Sequence, residues 1–320
     1  MHPVGWDAKL MLYMSKNEIS KSYILGVDIG GSHITVALID LSLRTIVGEF
    51  VLRRKVDPHA SAEMILQKWC DTIRECWQKF NLVNTRVGFA MPGPFDYAGG
   101  VCLIKGFEKY ELLYGINIRA ELAQRLNIPG SDIAFRNDAE AFLEGEIFCG
   151  AAQGYNHVIG LTLGTGMGSA YSHFGITADA ELSVTRYAGR IIEEFVSTRG
   201  LVGFYRGKTG LQIKDAESLA KLCHEDAGAV KSFKDFAIPL SWILNLFIVK
   251  EHPEIVVIGG NISNSWNLFM DDVIERLTSS LPEMPKITKT MMGENAALIG
   301  AACCFRDAQR EFFSGTPSIK

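Results

Sequence analysis

The stretch "YILGVDIGGSHITVALI" (residues 23–39) is matched in layout by "HVIGLTLGTGMGSAYSH" (residues 157–173). Each stretch contains an apolar run rich in β-branched residues, a glycine-rich turn with a serine or threonine, and a returning run. This pattern is typical of two strands joined by a tight turn. Because internal self-similarity indicates related structural units, we expect two related lobes that face each other.

The segments around these hairpins alternate between strand and helix patterns. A third β-branched run covers residues 45–52, and residues 61–80 carry apolar side chains at helical spacing before the short apolar run "RVGFAM". This alternation predicts an α/β protein. We expect an N-terminal extension (1–21), an N-terminal lobe (22–136) joined by a C-terminal helix (295–320), and a C-terminal lobe (137–294).

Composition excludes several classes of protein. The net charge is −4 and the basic residues are dispersed, which argues against nucleic-acid partners and against a polybasic membrane anchor. No run of consecutive apolar residues approaches the length of a membrane-spanning helix. Asp7, Lys9 and Glu18 interrupt the apolar core that a secretory signal would need. The seven cysteines are scattered and form no metal-ligand pattern, so we expect reduced thiols in a cytoplasmic protein.

The first glycine-rich turn, "DIGGSH", has the residue types that hold an anion. At Gly30 and Gly31 the backbone amides can approach a phosphate because no side chain intervenes, and Ser32 adds a hydroxyl group. The carboxylate of Asp28 would repel a phosphate unless a cation lay between them, which suggests Mg²⁺ held through water. The alternative is an ordinary tight hairpin.

The second turn repeats this arrangement without the acid. Gly164, Thr165, Gly166 and Gly168 offer amides and one hydroxyl group. Two such turns at corresponding positions favour a triphosphate held from both sides. The turn is not a P-loop, because no lysine follows it, and it is not the glycine pattern of a dinucleotide site.

The pair Asn137-Asp138 lies between the two turns and precedes an expected helix through Phe148. Two roles are open for Asp138. It is either the N-cap of that helix or a general base that accepts the proton of an attacking hydroxyl group.

Six segments of the chain carry a recognisable order of motifs: "LGVDIGGSHITVALID", "AMPGPFD", "NDAEAFLEGE", "LTLGTGMGSA", "PEIVVIGGNIS" and "ENAALIGAA". Together they resemble the successive motifs of the ROK family of sugar kinases (repressors, open reading frames, kinases), which lies within the actin-like and hexokinase-like ATPases. The resemblance runs from about Tyr23 to Phe305 and keeps the family's motif order.

The resemblance implies two ribonuclease H-like (actin-like ATPase) lobes with an interlobe cleft. It also implies an ATP-dependent kinase of hexoses or N-acylhexosamines, with Asp138 as catalytic base and Asn137 on the sugar hydroxyls. Both glycine-rich turns and Asp28 would flank the ATP phosphates and Mg²⁺. Gly259 and Gly260 would form the adenosine pocket.

The segment "AELSVTRYAGRIIEEFVSTRG" departs from the family pattern. Glu181 remains as a sugar contact, but Ser183 and Val184 stand where the family has a glycine and a zinc-binding, sugar-contacting histidine. The resemblance favours Glu193 over Glu194 as a second sugar contact, and both stay open.

The same region has no cysteine between Cys149 and Cys223, so we expect no structural zinc. Gly106 and Phe107 are candidates to approach the sugar. The missing histidine weakens the case for glucose in particular, and the sugar itself stays open.

Three functions compete at this point. We favour an active sugar kinase over a catalytically inactive sugar-binding or regulatory relative, because Asp28, Asn137, Asp138 and both glycine-rich turns are present. A DNA-binding repressor of this family needs an N-terminal winged-helix domain, and the roughly twenty residues before the first strand are too few. Relatives are commonly oligomers, so we expect a homo-oligomer, most simply a dimer.

Overall fold

The computed structural model describes residues 22–82, 84–106 and 109–306. The predicted N-terminal extension, Phe107 and residues 307–320 of the predicted C-terminal helix lie outside the described residues. The chain divides into two compact units. Unit 1 comprises the described residues up to Arg136 and those from Ala301 onward, and unit 2 comprises Asn137–Gly300.

Unit 1 is built on a mixed sheet with the strand order β3-β2-β1-β4-β7. The first hairpin is antiparallel, with Val27 opposite Val36, whereas β1 and β4 run parallel, with Val27 beside Phe89. A small hairpin of β5 and β6 follows β4. The strands are β1 Tyr23–Ile29, β2 His33–Asp40, β3 Thr45–Lys55, β4 Val87–Met91, β5 Phe95–Asp96, β6 Val101–Cys102 and β7 Ile133–Asn137.

Helix α1 (Ala62–Lys79) covers one face of this sheet, as its apolar stripe predicts. The Oγ of Ser61 accepts a hydrogen bond from Met64 N and caps the helix start. Trp69 is fully buried and belongs to the same apolar cluster as the strand residues Val27 and Val36. A second helix, α2 (Ile118–Leu126), adds its apolar side to this cluster.

Unit 2 repeats the plan with the strand order β10-β9-β8-β13-β14. Here β8 is antiparallel to β9 and parallel to β13, so the predicted likeness of the two halves is confirmed. The strands are β8 His157–Leu163, β9 Met167–His173, β10 Ile176–Asp179, β11 Arg186–Tyr187, β12 Arg190–Ile191, β13 Ile255–Gly259 and β14 Lys286–Lys289. The helices are α3 Asp138–Cys149, α4 Thr198–Thr209, α5 Ala216–Leu222, α6 Ala227–Glu251, α7 Met270–Ser280 and α8 Asn295–Ala302.

Strand β13 shows why the second sheet is covered on both faces. Ile255 and Val257 cluster with Phe142 of α3, whereas Val256 and Ile258 cluster with the aromatic residues of α6. Alternate side chains of a strand point to opposite faces, so a strand that is apolar throughout requires a layer on each side.

Helix α6 is 25 residues long and, by length and composition, apolar enough to span a membrane. Most of its apolar window is buried inside the protein. A buried core helix passes the same test, and α6 has the contacts of one, because it packs against α4 and α7.

Helices α3 and α8 approach each other so closely that their backbones touch. A Cβ atom on Gly145 would collide with the carbonyl oxygen of Ala296, and one on Gly300 would collide with that of Ala141. These contacts explain why Asn295–Gly300 belongs to unit 2, although the sequence prediction joined the whole of 295–320 to the first lobe.

Glu146, on α3, ties this helix by hydrogen bonds to residues 290–292, the segment that precedes α8. Its carboxylate is fully buried and accepts from the backbone amides of Ala151 (2.7 Å) and Met292 (2.9 Å). It also accepts from Thr290 Oγ1 and Met291 N. A buried carboxylate is tolerated only when hydrogen bonds replace its hydration, and these bonds do so.

The close approach predicts that Gly300→Ala destabilises the protein by about 1–3 kcal/mol or more, because the added methyl group overpacks the contact with Ala141. Gly207→Ala on α4 is the control, since its Cβ would meet no heavy atom within 4 Å among the described residues. Replacing that exposed helical glycine should stabilise by about 0.5–1 kcal/mol. Urea unfolding measures both, and equal effects would contradict the close approach.

Candidate active site

In unit 1, hydrogen bonds fix the turn between β1 and β2 at three points. Gly30 N donates to His33 O (2.9 Å), Val56 N donates to Ser32 O (2.9 Å), and Tyr110 Oη donates to Gly30 O (2.7 Å). Gly31 and Ser32 are exposed at its tip. The turn is therefore a fixed loop whose tip can meet a ligand.

Tyr110 was not singled out by any sequence pattern. Its side chain is fully buried, burial raises the pKa of its hydroxyl group, and the negative charge of Asp28 raises it further. The hydroxyl group therefore stays protonated and donates to Gly30 O at any physiological pH. Asp28 itself lies on β1, two residues before Gly30 and opposite Thr35 of β2.

In unit 2, the second glycine-rich turn is held by the segment that follows β12. Thr198 donates twice to Gly164 O, from its backbone N (2.7 Å) and from Oγ1 (2.9 Å). The Oε2 atom of Glu193 accepts from Met167 N (3.1 Å) and lies against Gly166, where a Cβ would come within 2.6 Å of it. A side chain at position 166 would therefore require the Glu193 carboxylate to move.

The two candidate glutamates have different surroundings. Glu193 contacts the glycine-rich turn and lies 3.8 Å from a guanidinium nitrogen of Arg199, whereas Glu194 pairs with Arg190 at 3.4 Å. The preference for Glu193 therefore has a geometric basis. Its contact with a sugar stays a prediction.

Aromatic contacts anchor the segment in which the family pattern places zinc ligands. Strands β11 and β12 form a short hairpin whose Tyr187 packs against Phe195 (ring centroids 5.2 Å apart) and Trp242 (4.9 Å). The guanidinium of Arg190 lies 4.2 Å from the centre of the Phe195 ring. Within the described ranges there is no group of three or more His, Cys, Asp or Glu side chains able to hold a metal.

The start of α3 corrects one of the roles considered for Asp138. The N-cap is Asn137, whose Oδ1 accepts from Ala139 N (2.8 Å) and Glu140 N (3.2 Å). Asp138 is the first helical residue and is exposed. The N-cap role for Asp138 is therefore wrong, because the preceding buried amide fills it.

Unit 2 brings most of its predicted site residues to one end of the sheet. A Cβ on Gly168 would come within 3.0 Å of the Ala139 Cβ, so β9 begins against the first turn of α3. Gly260 takes a φ of 81° and lies against the backbone of Leu163, directly before the glycine-rich turn. Gly259 packs on the Phe142 ring of α3.

Asp179, at the end of β10, is a neighbour of Asp138 that the sequence analysis missed. Its N–H donates to Glu140 Oε1 (2.9 Å), and its Oδ1 accepts from Glu181 N (2.8 Å). Burial raises the pKa of the Asp179 carboxyl group; the hydrogen bond from Glu181 N opposes this, and the charges of Asp138 and Glu181 raise it further. Glu181 is itself exposed, with a left-handed φ of 52°.

Comparison with known proteins agrees with this architecture. The model of the ROK family matches residues 24–182. N-acetyl-D-glucosamine kinase of Salmonella heidelberg (strain SL476) is 26% identical, over 87% of this chain and 97% of the relative.

Solved structures of the same family share the fold. A ROK family glucokinase from Streptomyces griseus, solved in complex with glucose and AMPPNP, is 22% identical with a TM-score of 0.74, over 89% of this chain and 99% of that one. A ROK family transcriptional regulator, a homolog of the E. coli MLC protein, is 16% identical with a TM-score of 0.73, over 89% and 78%.

The two sheet-and-helix units with glycine-rich turns define a protein of the actin-like ATPase fold. The chain belongs to the ROK family.

The raised pKa of Asp179 predicts that Asp179→Asn stabilises the protein at pH 7. Folding raises the pKa of this carboxyl group, so the folded protein favours its protonated form. Its contribution to the free energy of unfolding is therefore complete below the ordinary pKa of about 4, and it is lost as the pH rises through the raised pKa. Asparagine cannot ionise, so the advantage of the variant over wild type should grow between pH 4 and pH 7.5 in urea unfolding.

Asp215→Asn is the control for this experiment. Asp215 caps α5 and accepts from Ser218 N (2.8 Å), and hydrogen bonds from Ser218 lower the pKa of its carboxyl group. Its contribution is present above the ordinary pKa, so this variant should lose stability at pH 7. A loss of stability in Asp179→Asn as well would contradict the assignment.

Proposed function

We propose that this protein is an ATP-dependent sugar kinase, which transfers the γ-phosphate of ATP to a hydroxyl group of a hexose or N-acylhexosamine. The observation that carries the proposal is the exposed Asp138 carboxylate at the start of α3, next to a second glycine-rich turn. The names of the relatives support a sugar as acceptor and ATP as donor.

Asp138 is suited to act as the general base. It lies at the N-terminus of a helix, where the helix dipole favours a negative charge, and it is exposed to an incoming hydroxyl group. Asn137 Oδ1 caps the helix, so we assign the sugar hydroxyls to its side-chain amide nitrogen. Glu181 and Glu193 are further candidates to accept hydrogen bonds from the sugar hydroxyl groups.

The two turns are assigned to the phosphates of ATP. Backbone amides at Gly30, Gly31 and Ser32 in unit 1, and at Gly164–Gly168 in unit 2, would donate to phosphate oxygens. Gly259 and Gly260 are assigned to the adenosine. Because the transferred phosphoryl group needs little covalent help, positioning and charge neutralisation supply most of the catalysis.

Magnesium fits the residues present in unit 1. Asp28 is a carboxylate beside a turn of amides, and Mg²⁺ is usually held by one or two carboxylates together with substrate phosphates. When bound, Mg²⁺ would neutralise phosphate charge, and Asp28 would hold it, most simply through water.

The alternative is a catalytically inactive sugar-binding or regulatory protein. One residue favours this alternative. Val184, which is 64% exposed, stands at the position where the family pattern has a histidine that contacts the sugar. A cytoplasmic location, a homodimer and the lack of nucleic-acid and membrane partners stay predictions.

Asp138→Asn should lower kcat by about 10²- to 10⁴-fold, because general-base assistance is lost while the fold is kept. The measurement is ADP release with ATP and Mg²⁺ across hexoses and N-acetylhexosamines, beginning with N-acetylglucosamine. Unchanged unfolding by urea is the control for folding. If no sugar gives turnover above the Asp138→Asn background, the alternative is favoured.

The glycine-rich turns provide an independent test. Neither Gly31 nor Gly164 has a left-handed φ, and a Cβ on either would meet no heavy atom within 4 Å among the described residues. Gly31→Ala and Gly164→Ala should therefore leave the unfolding free energy within about 0.5 kcal/mol of wild type. Each should raise KM for ATP by about tenfold, because the methyl group blocks charge-assisted hydrogen bonds to phosphate.

The control for this pair is Gly207→Ala, which also adds a methyl group on an open surface. It should leave KM for ATP unchanged. Equal KM values for ATP in all three variants would contradict the assignment of the ATP phosphates to these turns.

A further inference from the structure

Next to the first glycine-rich turn, one face of the β2–β3 hairpin carries an arginine, a lysine and a histidine. The register places His33 opposite Lys55 and Thr35 opposite Arg53. Opposite residues share a face of the sheet, and so do residues two apart on a strand. His33, Arg53 and Lys55 therefore share one face, on which the cationic Arg53 and Lys55 are exposed.

Arg53 is linked to the turn through His33. Its Nη2 lies 2.8 Å from His33 Nε2. A guanidinium only donates hydrogen bonds, so a hydrogen bond at this contact requires His33 Nε2 to be the acceptor. The imidazole in turn lies against Gly30, where a Cβ would come within 2.6 Å of the ring. The guanidinium is thus held beside the loop of amides.

The neighbouring Arg54 does not share the position of Arg53, because successive side chains of a strand lie on opposite faces of the sheet. It points to the other face of β3, where its Nε donates to Glu75 Oε2 (3.2 Å) of α1. Arg53 and Arg54 therefore carry the same charge one residue apart, but only Arg53 faces the side of the turn.

The electrostatics of the turn explain why a fixed cation is useful there. Asp28 lies on β1 directly before the turn, and its negative charge opposes the approach of a phosphate. A guanidinium offsets that repulsion and matches phosphate oxygens with two parallel donors, which a lysine cannot do.

We propose that Arg53, positioned by His33 and supported by the charge of Lys55, binds the phosphate tail of the nucleotide donor at the first glycine-rich turn. This inference rests on the proposed function for the identity of the donor. It adds a side-chain phosphate contact to a loop that otherwise offers only amides and one hydroxyl group.

The test is calorimetric binding of AMPPNP with Mg²⁺, without sugar, to wild type, Arg53→Ala and the matched control Arg54→Ala. Loss of a charge-assisted contact should raise Kd by about tenfold in Arg53→Ala, and by less than twofold in Arg54→Ala. Arg53→Lys should lie between, because it keeps the charge and loses the planar fork. Added salt should weaken binding more in wild type than in Arg53→Ala.

The outcomes separate this inference from the proposed function. Equal Kd values for the two alanine variants, with urea unfolding unchanged, would overturn the role of Arg53 alone. A weakened Arg53→Ala together with no turnover of any sugar would support the role of Arg53 and count against the kinase. Wild type that fails to bind AMPPNP would overturn both.

Discussion

The two hydrogen bonds from Ala139 N and Glu140 N to Asn137 Oδ1 are the interaction on which the site in unit 2 depends. They begin α3 at Asp138 and leave that carboxylate exposed at the positive end of the helix. The same helix then packs through Gly145 against the start of α8, and its Glu146 binds the segment that precedes α8. A single buried amide thus places both the Asp138 carboxylate and a helix of the core.

The second glycine-rich turn depends on contacts from further along the chain. Glu193 and Thr198 bind the turn directly, and the aromatic packing of Tyr187 on Phe195 and Trp242 holds the segment that carries them. In this chain, aromatic and cation–π contacts therefore occupy the segment in which the family pattern has zinc ligands.

Much of the fold could be predicted from the sequence because it is a local pattern. The hairpins at residues 23–39 and 157–173, the stripe of α1 and the helix after Asn137 were all visible as runs and periods. Asp28, the glycine-rich turns and Asp138 were identifiable as residue types next to strand ends. The C-terminal boundary of unit 2 could not be predicted in this way, because Gly300 belongs to the unit through a backbone contact with Ala141 that no local sequence pattern shows.

The sequence by itself therefore determined the two-sheet architecture, the family and the main candidate site residues, since each follows from patterns of residues that are close together in the chain. Only the tertiary structure decided that Asn137 rather than Asp138 caps α3, that Glu193 rather than Glu194 meets the turn, and that Tyr110, Asp179 and Arg53 lie beside predicted site residues. The physical reason is that these are side-chain contacts, most of them between segments far apart in the chain. Their partners are chosen by the packing of whole strands and helices, which local residue order does not contain.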